Sequence, residues 1–219
     1  MEVLIVAAHP DDEVLGAGGT ILKHISKGDK VSLLILGDGE SSRKKGADIK
    51  KRSQQAVKSA KLLGVSNLVL EKLPDNQFDT VSLLKITKII EGCLNKVKPQ
   101  VVYTHSGNDL NLDHQLTFKA VLTACRPQPG FFVKKLLSFE VLSSTEWQVK
   151  DSSHCFCPTV YNDITSYVDK KVEILDVYKD EVKTFPHPRS KEGVRVLAKY
   201  RGMESGYEFA EAFQLIREV

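Results

Sequence analysis

The stretch Ala8-His9-Pro10-Asp11-Asp12-Glu13-Val14-Leu15 crowds an imidazole and three consecutive carboxylates into one short segment. Bare carboxylates this close repel one another and lose hydration, so the pattern calls for a cation to gather them. His9 and Asp12 have the donor chemistry of a zinc site, an imidazole nitrogen and a carboxylate oxygen. Asp11, between them, is free to face the water that such a metal would bind. Capping of a following helix would account for one aspartate, but not for three acids in a row. The expectation is a metal-dependent hydrolase, in which zinc lowers the pKa of its bound water to about 7.

The elements around this segment must hold it at the edge of a sheet. Val3 to Ala7 reads as a buried parallel strand, and the glycine-rich segment Gly16 to Gly19 runs into a helix from Gly19 to Ser26. Further strands are expected at Lys30 to Leu36, Asn67 to Leu70, Gln100 to Thr104 and Lys135 to Val141. Helices are expected at Ile49 to Leu63, Ser82 to Val97 and His114 to Ala124. This alternation predicts an α/β, Rossmann-like fold: a mostly parallel sheet, helices on both faces and right-handed crossovers. The active site is then expected at the carboxyl ends of the strands. From Pro158 the pattern changes. Thr159 to Tyr161 is strand-like, Ile164 to Lys183 reads as a helix, and Thr184 to Ser190 is an irregular loop with His187 between two prolines. A helix from Glu192 to Gly202 and a closing segment from Ala210 to Val219 follow. This half is expected to pack over the sheet and its active edge, with residues 1–219 forming one domain.

A catalytic zinc site takes three protein ligands and leaves a position open for water. The strand ending at Thr104 leads into His105-Ser-Gly-Asn-Asp-Leu-Asn-Leu-Asp-His-Gln115, on the same sheet edge. His114, which opens the next helix, is the expected third ligand. Asp113 beside it is placed to orient an imidazole or Asp11.

AHPDDEVLGAGGTI followed by a later Asn-x-Asp-His resembles the LmbE-like, or PIG-L, family of zinc-dependent N-acetylglucosaminyl deacetylases. Its motifs are AHPDDE and a downstream HxDH or NxDH. The resemblance continues to Asp163-Ile164-Thr165 and Lys170-Lys171. It implies His9, Asp12 and His114 as metal ligands, Asp11 as general base and Asp113 as its support. It also implies a substrate-gripping role for Arg52 and a sugar-hydroxyl role for Asp75, in Pro74-Asp75. Where relatives with HxDH carry a histidine near the oxyanion, this chain has Asn111. Either Asn111 supplies a neutral N–H donor or His105 takes over the role. The metal implied is Zn2+, and another divalent ion such as Fe2+ suits the same donors.

Composition bounds the rest. Across 219 residues, 27% charged and 42% hydrophobic, the chain has the make-up of an ordinary soluble domain, and a net charge of +3 favours no anionic partner. The basic run from Arg43 to Lys61 lacks interleaved aromatics, which argues against nucleic acid. Cys93, Cys125, Cys155 and Cys157 are irregularly spaced, and no leader is expected ahead of the first strand. Reduced thiols in a cytoplasmic protein are therefore expected. No apolar run approaches the roughly 18 residues of a membrane span. The expected partner is a small amino sugar, and a homo-oligomer is compatible with the sequence. His154 and His187 read as structural or surface residues, with His187 and Arg189 as candidates for the substrate mouth. Trp147 and Phe131-Phe132 read as packing residues, with sugar stacking as the alternative. One rival reading is a dinucleotide-binding module, but Gly16-Ala17-Gly18-Gly19 is not G-x-G-x-x-G and acids sit where a pyrophosphate would bind. A non-catalytic sugar-binding relative would need no Asp11. Within the deacetylase class, N-acetylglucosaminyl malate or inositol in a sugar-thiol pathway is the alternative substrate.

Overall fold

The computed structural model describes residues 1–42, 48–130, 133–151 and 153–219. Phe131, Phe132 and the first part of the basic run, residues 43–47, lie outside the described residues. Five strands run parallel: β1 (Glu2–Ala7), β2 (Lys30–Gly37), β3 (Asn67–Leu73), β4 (Val101–His105) and β5 (Lys135–Phe139). The closing segment forms β7 (Ala210–Glu218), inserted antiparallel between β5 and β6 (Val160–Asp163). The sheet order is β3-β2-β1-β4-β5-β7-β6. The C-terminal segment thus extends the sheet as well as packing over it, because β7 covers the edge that β5 would otherwise expose.

Helices cover both faces. On one face α1 (Asp12–Ser26), α2 (Ile49–Leu63), α5 (Val168–Leu175) and α6 (Lys191–Ser205) pack on Val3, Ile5 and Ala7 of β1 and their neighbours. On the other, α3 (Leu83–Val97) and α4 (Leu112–Ala124) pack on Leu4, Val6 and Ala8. A central strand buried on both faces reads as continuous apolar residues, as β1 does. Helix ends follow local chemistry. Asp48 caps α2 by accepting from the Lys51 N–H, and Gly64, at φ 84°, ends it in the left-handed conformation.

Two expectations need correction. The glycines Gly16, Gly18 and Gly19 do not precede the first helix but lie inside it, since α1 begins at Asp12. Their value is close packing: a Cβ on Gly19 would fall 2.7 Å from Ile164, and one on Gly16 would run into the Phe139 ring. The helix expected from Ile164 to Lys183 is confined to α5 and a 3-10 turn at Asp176–Tyr178. Leaving the helical path lets Tyr178 bury its ring and donate its hydroxyl to Glu13 at 2.6 Å.

Candidate active site

The carboxyl ends of β1, β2, β3 and β4 converge at the point where the strand order reverses, between β1 and β4. There the crossovers leave in opposite directions and open a crevice. Asp11 occupies the turn between β1 and α1 with φ 105°, a backbone region that L-residues rarely adopt, and its side chain makes no capping bond. Glu13 holds this turn. It accepts the Asp11 N–H at 2.9 Å, the Ser59 hydroxyl at 2.7 Å and the Tyr178 hydroxyl. Burial pushes the Glu13 carboxyl up to about 7. Asp12 does not cap α1 either. Its Oδ2 accepts the His9 N–H at 2.8 Å, so Asp12 is turned toward His9 rather than onto the helix end.

His9, Asp12 and His114 each present a donor atom within 4.8 Å of the others, and all three are buried. Asp12 Oδ2 lies 3.4 Å from His9 Nδ1 and 3.3 Å from His114 Nε2. Asp12 Oδ1 and both His114 ring nitrogens have no hydrogen-bond partner, although His114 Nδ1 lies at ion-pair distance from Asp109. Each imidazole is backed by a carboxylate on its other nitrogen. His9 Nε2 meets Asp113 Oδ2 at 2.8 Å, and His114 Nδ1 meets Asp109 Oδ1 at 3.2 Å. Asp113 in turn accepts the Phe78 N–H at 3.0 Å, and Asp109 accepts the Thr145 hydroxyl at 2.6 Å and the hydroxyl of Ser144. Burial works against charge on both rings, yet the aspartates outweigh it and push His9 up to about 10 and His114 up to about 9. Burial alone would raise Asp12, but His114 and His105 hold it well below the usual carboxylate range. Such a surplus of negative charge around two imidazoles favours a cation.

Asp113 therefore sits on His9 rather than on Asp11. Asp11 is met by two guanidiniums, Arg52 Nη2 at 3.2 Å and Arg189 Nη1 at 3.1 Å, both on Oδ2. Burial pushes the Asp11 carboxyl up, and the two arginines oppose it. Arg52, on α2, is buried and also donates to the Pro10 carbonyl at 2.7 Å. Asp75 Oδ1 lies 3.4 Å from His9 Nε2, and its Oδ2 accepts from Ser42 and from Asn76 Nδ2. Asn111 is the N-cap of α4. Its Oδ1 accepts the N–H groups of Asp113 and His114, while Nδ2 donates to Asn76 Oδ1 at 3.3 Å. A cleft of about 180 Å³ is lined by His9, Asp11, Ser42, Asp75, Asn111 and Arg189, among others.

His105 is placed differently from the expectation that it assists a substrate. It is wholly buried, its Nε2 accepts the Ala8 N–H at 2.8 Å, and its ring stacks on His114 at 3.9 Å. Burial and the neighbouring His114 push it down to about 4, so it is a neutral ring beneath the site. Trp147 is half-exposed and meets His187 edge to face at 5.8 Å. Sequence reasoning assigned no role to Glu13 or Asp109, and it left Arg189 with a rim role only. The signal for Glu13 was the third acid of the motif, and for Asp109 a second acid in the loop that supplies His114.

Among the described residues no helix is long and apolar enough to cross a membrane. The sequence model of the PIG-L family, described as GlcNAc-PI de-N-acetylase, matches residues 4–125, more than half of the chain. A Bacillus anthracis protein named probable N-acetyl-alpha-D-glucosaminyl L-malate deacetylase 2 is 24% identical over 83% of this chain and 82% of its own length. Two solved structures share the fold. A conserved protein of Thermus thermophilus has a TM-score of 0.80 at 20% identity, over 100% of this chain and 96% of its own. The N,N'-diacetylchitobiose deacetylase of Pyrococcus horikoshii has a TM-score of 0.78 at 20% identity, over 98% of this chain and 83% of its own. With the AHPDDE turn, the later N-x-D-H and a family match spanning both, the chain belongs to the PIG-L, or LmbE-like, family.

Proposed function

We propose that the protein is a zinc-dependent N-deacetylase. Its substrate on this reading is an N-acetylglucosamine-type sugar, free, nucleotide-linked or within a glycan or conjugate, and its products are acetate and the free amine. The observation that carries the reading is the convergence of His9, Asp12 and His114 beside a cleft that Asp11 also lines. His9, Asp12 and His114 would hold the ion. The fit rests on the unpartnered Asp12 Oδ1 and His114 Nε2 and on a donor set of two imidazoles and one carboxylate. That set suits zinc and also Fe2+. When bound, such an ion acidifies water and polarises an acyl oxygen as a Lewis acid.

The chain's own residues supply the remaining work. Asp113 on His9 Nε2 and Asp109 on His114 Nδ1 fix the two rings and leave the opposite nitrogen of each as a donor. Asp11 removes a proton as the water oxygen adds to the acetyl carbon. It returns that proton to the nitrogen as the carbon–nitrogen bond breaks. Asp75, Ser42, Asn76 and the Asn111 amide line the cleft wall with groups able to meet sugar hydroxyls. Arg52, locked on Asp11 and Pro10, acts on this reading through Asp11. The name of the Bacillus anthracis relative favours a second reading within the same chemistry, an N-acetylglucosaminyl malate substrate. Four free cysteines support a reducing, cytoplasmic setting.

The test is acetate release by the zinc-loaded protein from N-acetylglucosamine, a nucleotide sugar, chitin-type oligomers and the malate conjugate, with chelated protein as control. Metal-dependent release from one of them is the expected result. A protein that binds stoichiometric zinc and releases acetate from none of them would overturn the reading.

A further inference from the structure

Asp11 is gripped on one side only. Arg52 Nη2 and Arg189 Nη1 both fall on Oδ2, and among the described residues no hydrogen bond falls on Oδ1. The two arginines come from separate parts of the chain and are each anchored independently. Arg52 is tied to the Pro10 carbonyl at 2.7 Å. Arg189 donates Nε to the Leu142 carbonyl at 3.2 Å and its backbone N–H to His187 Nδ1 at 3.1 Å. Glu181 lies opposite both, 3.6 Å from Arg52 and 4.0 Å from Arg189. Asp11 and Arg189 line the same cleft, and the Asp11 backbone is held in its unusual conformation by Glu13. Backbone strain held in place by its surroundings clusters at functional sites.

We infer that Arg189 is a positioning residue for Asp11. The Thr184–Ser190 loop delivers a guanidinium that, with Arg52, saturates one carboxylate oxygen and turns the other into the cleft. This rests on Asp11 being the base. An aspartate held at one oxygen by a single partner can swing about its last torsion. Two guanidinium N–H groups from different elements restrict that freedom, and small misplacements of a reacting group are costly in rate. The loop after α5 therefore completes the site from the far end of the sequence.

The test uses the full-length, zinc-loaded protein. In Arg189→Ala, kcat should fall by about 10²-fold with KM changed less than about threefold, the pattern of a lost base position rather than lost binding. Arg189→Lys should recover part of the rate, and added guanidinium ion should restore part of it in Arg189→Ala but none in Asp11→Asn. Independently of activity, Asp11→Gly, which tolerates the positive φ, should raise amide hydrogen exchange across residues 184–190, and Arg189→Ala should do the same. Should Arg189→Ala fail to fold, Arg189→Lys carries the kinetic arm. An unchanged kcat, a loss confined to KM, or unaltered exchange in Asp11→Gly each overturn the inference. If the wild type releases no acetate from any substrate, the deacetylase reading fails, and the exchange arm alone decides whether Arg189 latches onto Asp11.

Discussion

The site has two layers built from the same residue type, and they favour different charge states, a cationic ring above and a neutral one beneath. In the upper layer His9 and His114 each rest on an aspartate, and both rings are pushed upward, to about 10 and about 9. In the layer beneath, His105 takes an N–H from Ala8 on Nε2, has no partner on Nδ1, and is pushed down to about 4. The rings of His105 and His114 stack at 3.9 Å, so burial is not what separates them. The company each ring keeps is: Asp109 faces His114 Nδ1, whereas His105 receives the Ala8 N–H and lies against His114, whose charge works against its own. A carboxylate makes the imidazole a strong donor and leaves the neighbourhood short of positive charge, whereas a backbone N–H makes it a neutral packing element.

The largest expected effect tests the upper layer. His9→Ala or His114→Ala should lose most bound zinc and all measurable acetate release while circular dichroism stays near wild type. Stoichiometric zinc in both variants would break the contrast between the layers. Asp11→Asn comes next. It should keep its zinc and slow deacetylation by about 10²-fold or more, and loss of metal instead would reverse the roles of the two adjacent aspartates. Removing the backing groups should cost less than removing a ligand. Asp113→Asn and Asp109→Asn should each weaken zinc affinity by roughly 10- to 100-fold in competition with a chelator. An unchanged affinity would mean that the aspartates serve only the fold. The smallest effect belongs to the lower layer. His105→Phe should retain zinc and the wild-type pH–rate profile but lose about 1–3 kcal/mol in urea unfolding, because the buried Ala8 N–H loses its acceptor. A displaced profile would put His105 back into the chemistry.

Much of the architecture was legible in the chain because its signals are local. The apolar run of β1, the Asp48 and Gly64 caps that bound α2, and Ser82 ahead of α3 each act within a few residues. The chemistry of AHPDDE and the later Asn-x-Asp-His was legible too, since three adjacent acids and a histidine have few uses that need no cation. What remained hidden depends on which strands became neighbours. With β1 beside β4, the loop bearing His9 lies against the loop bearing Asp113 and His114, although about a hundred residues separate them. That placement put Asp113 on His9 rather than Asp11, and drew His105 under the site to accept from Ala8. The turn into Tyr178 and the loop carrying Arg189 closed on Glu13 and Asp11 from the far end of the chain. Spacing along a sequence reports which side chains share a turn or a helix face. Whether a buried charge finds its counter-charge is set by long-range packing, which only the folded sheet decides.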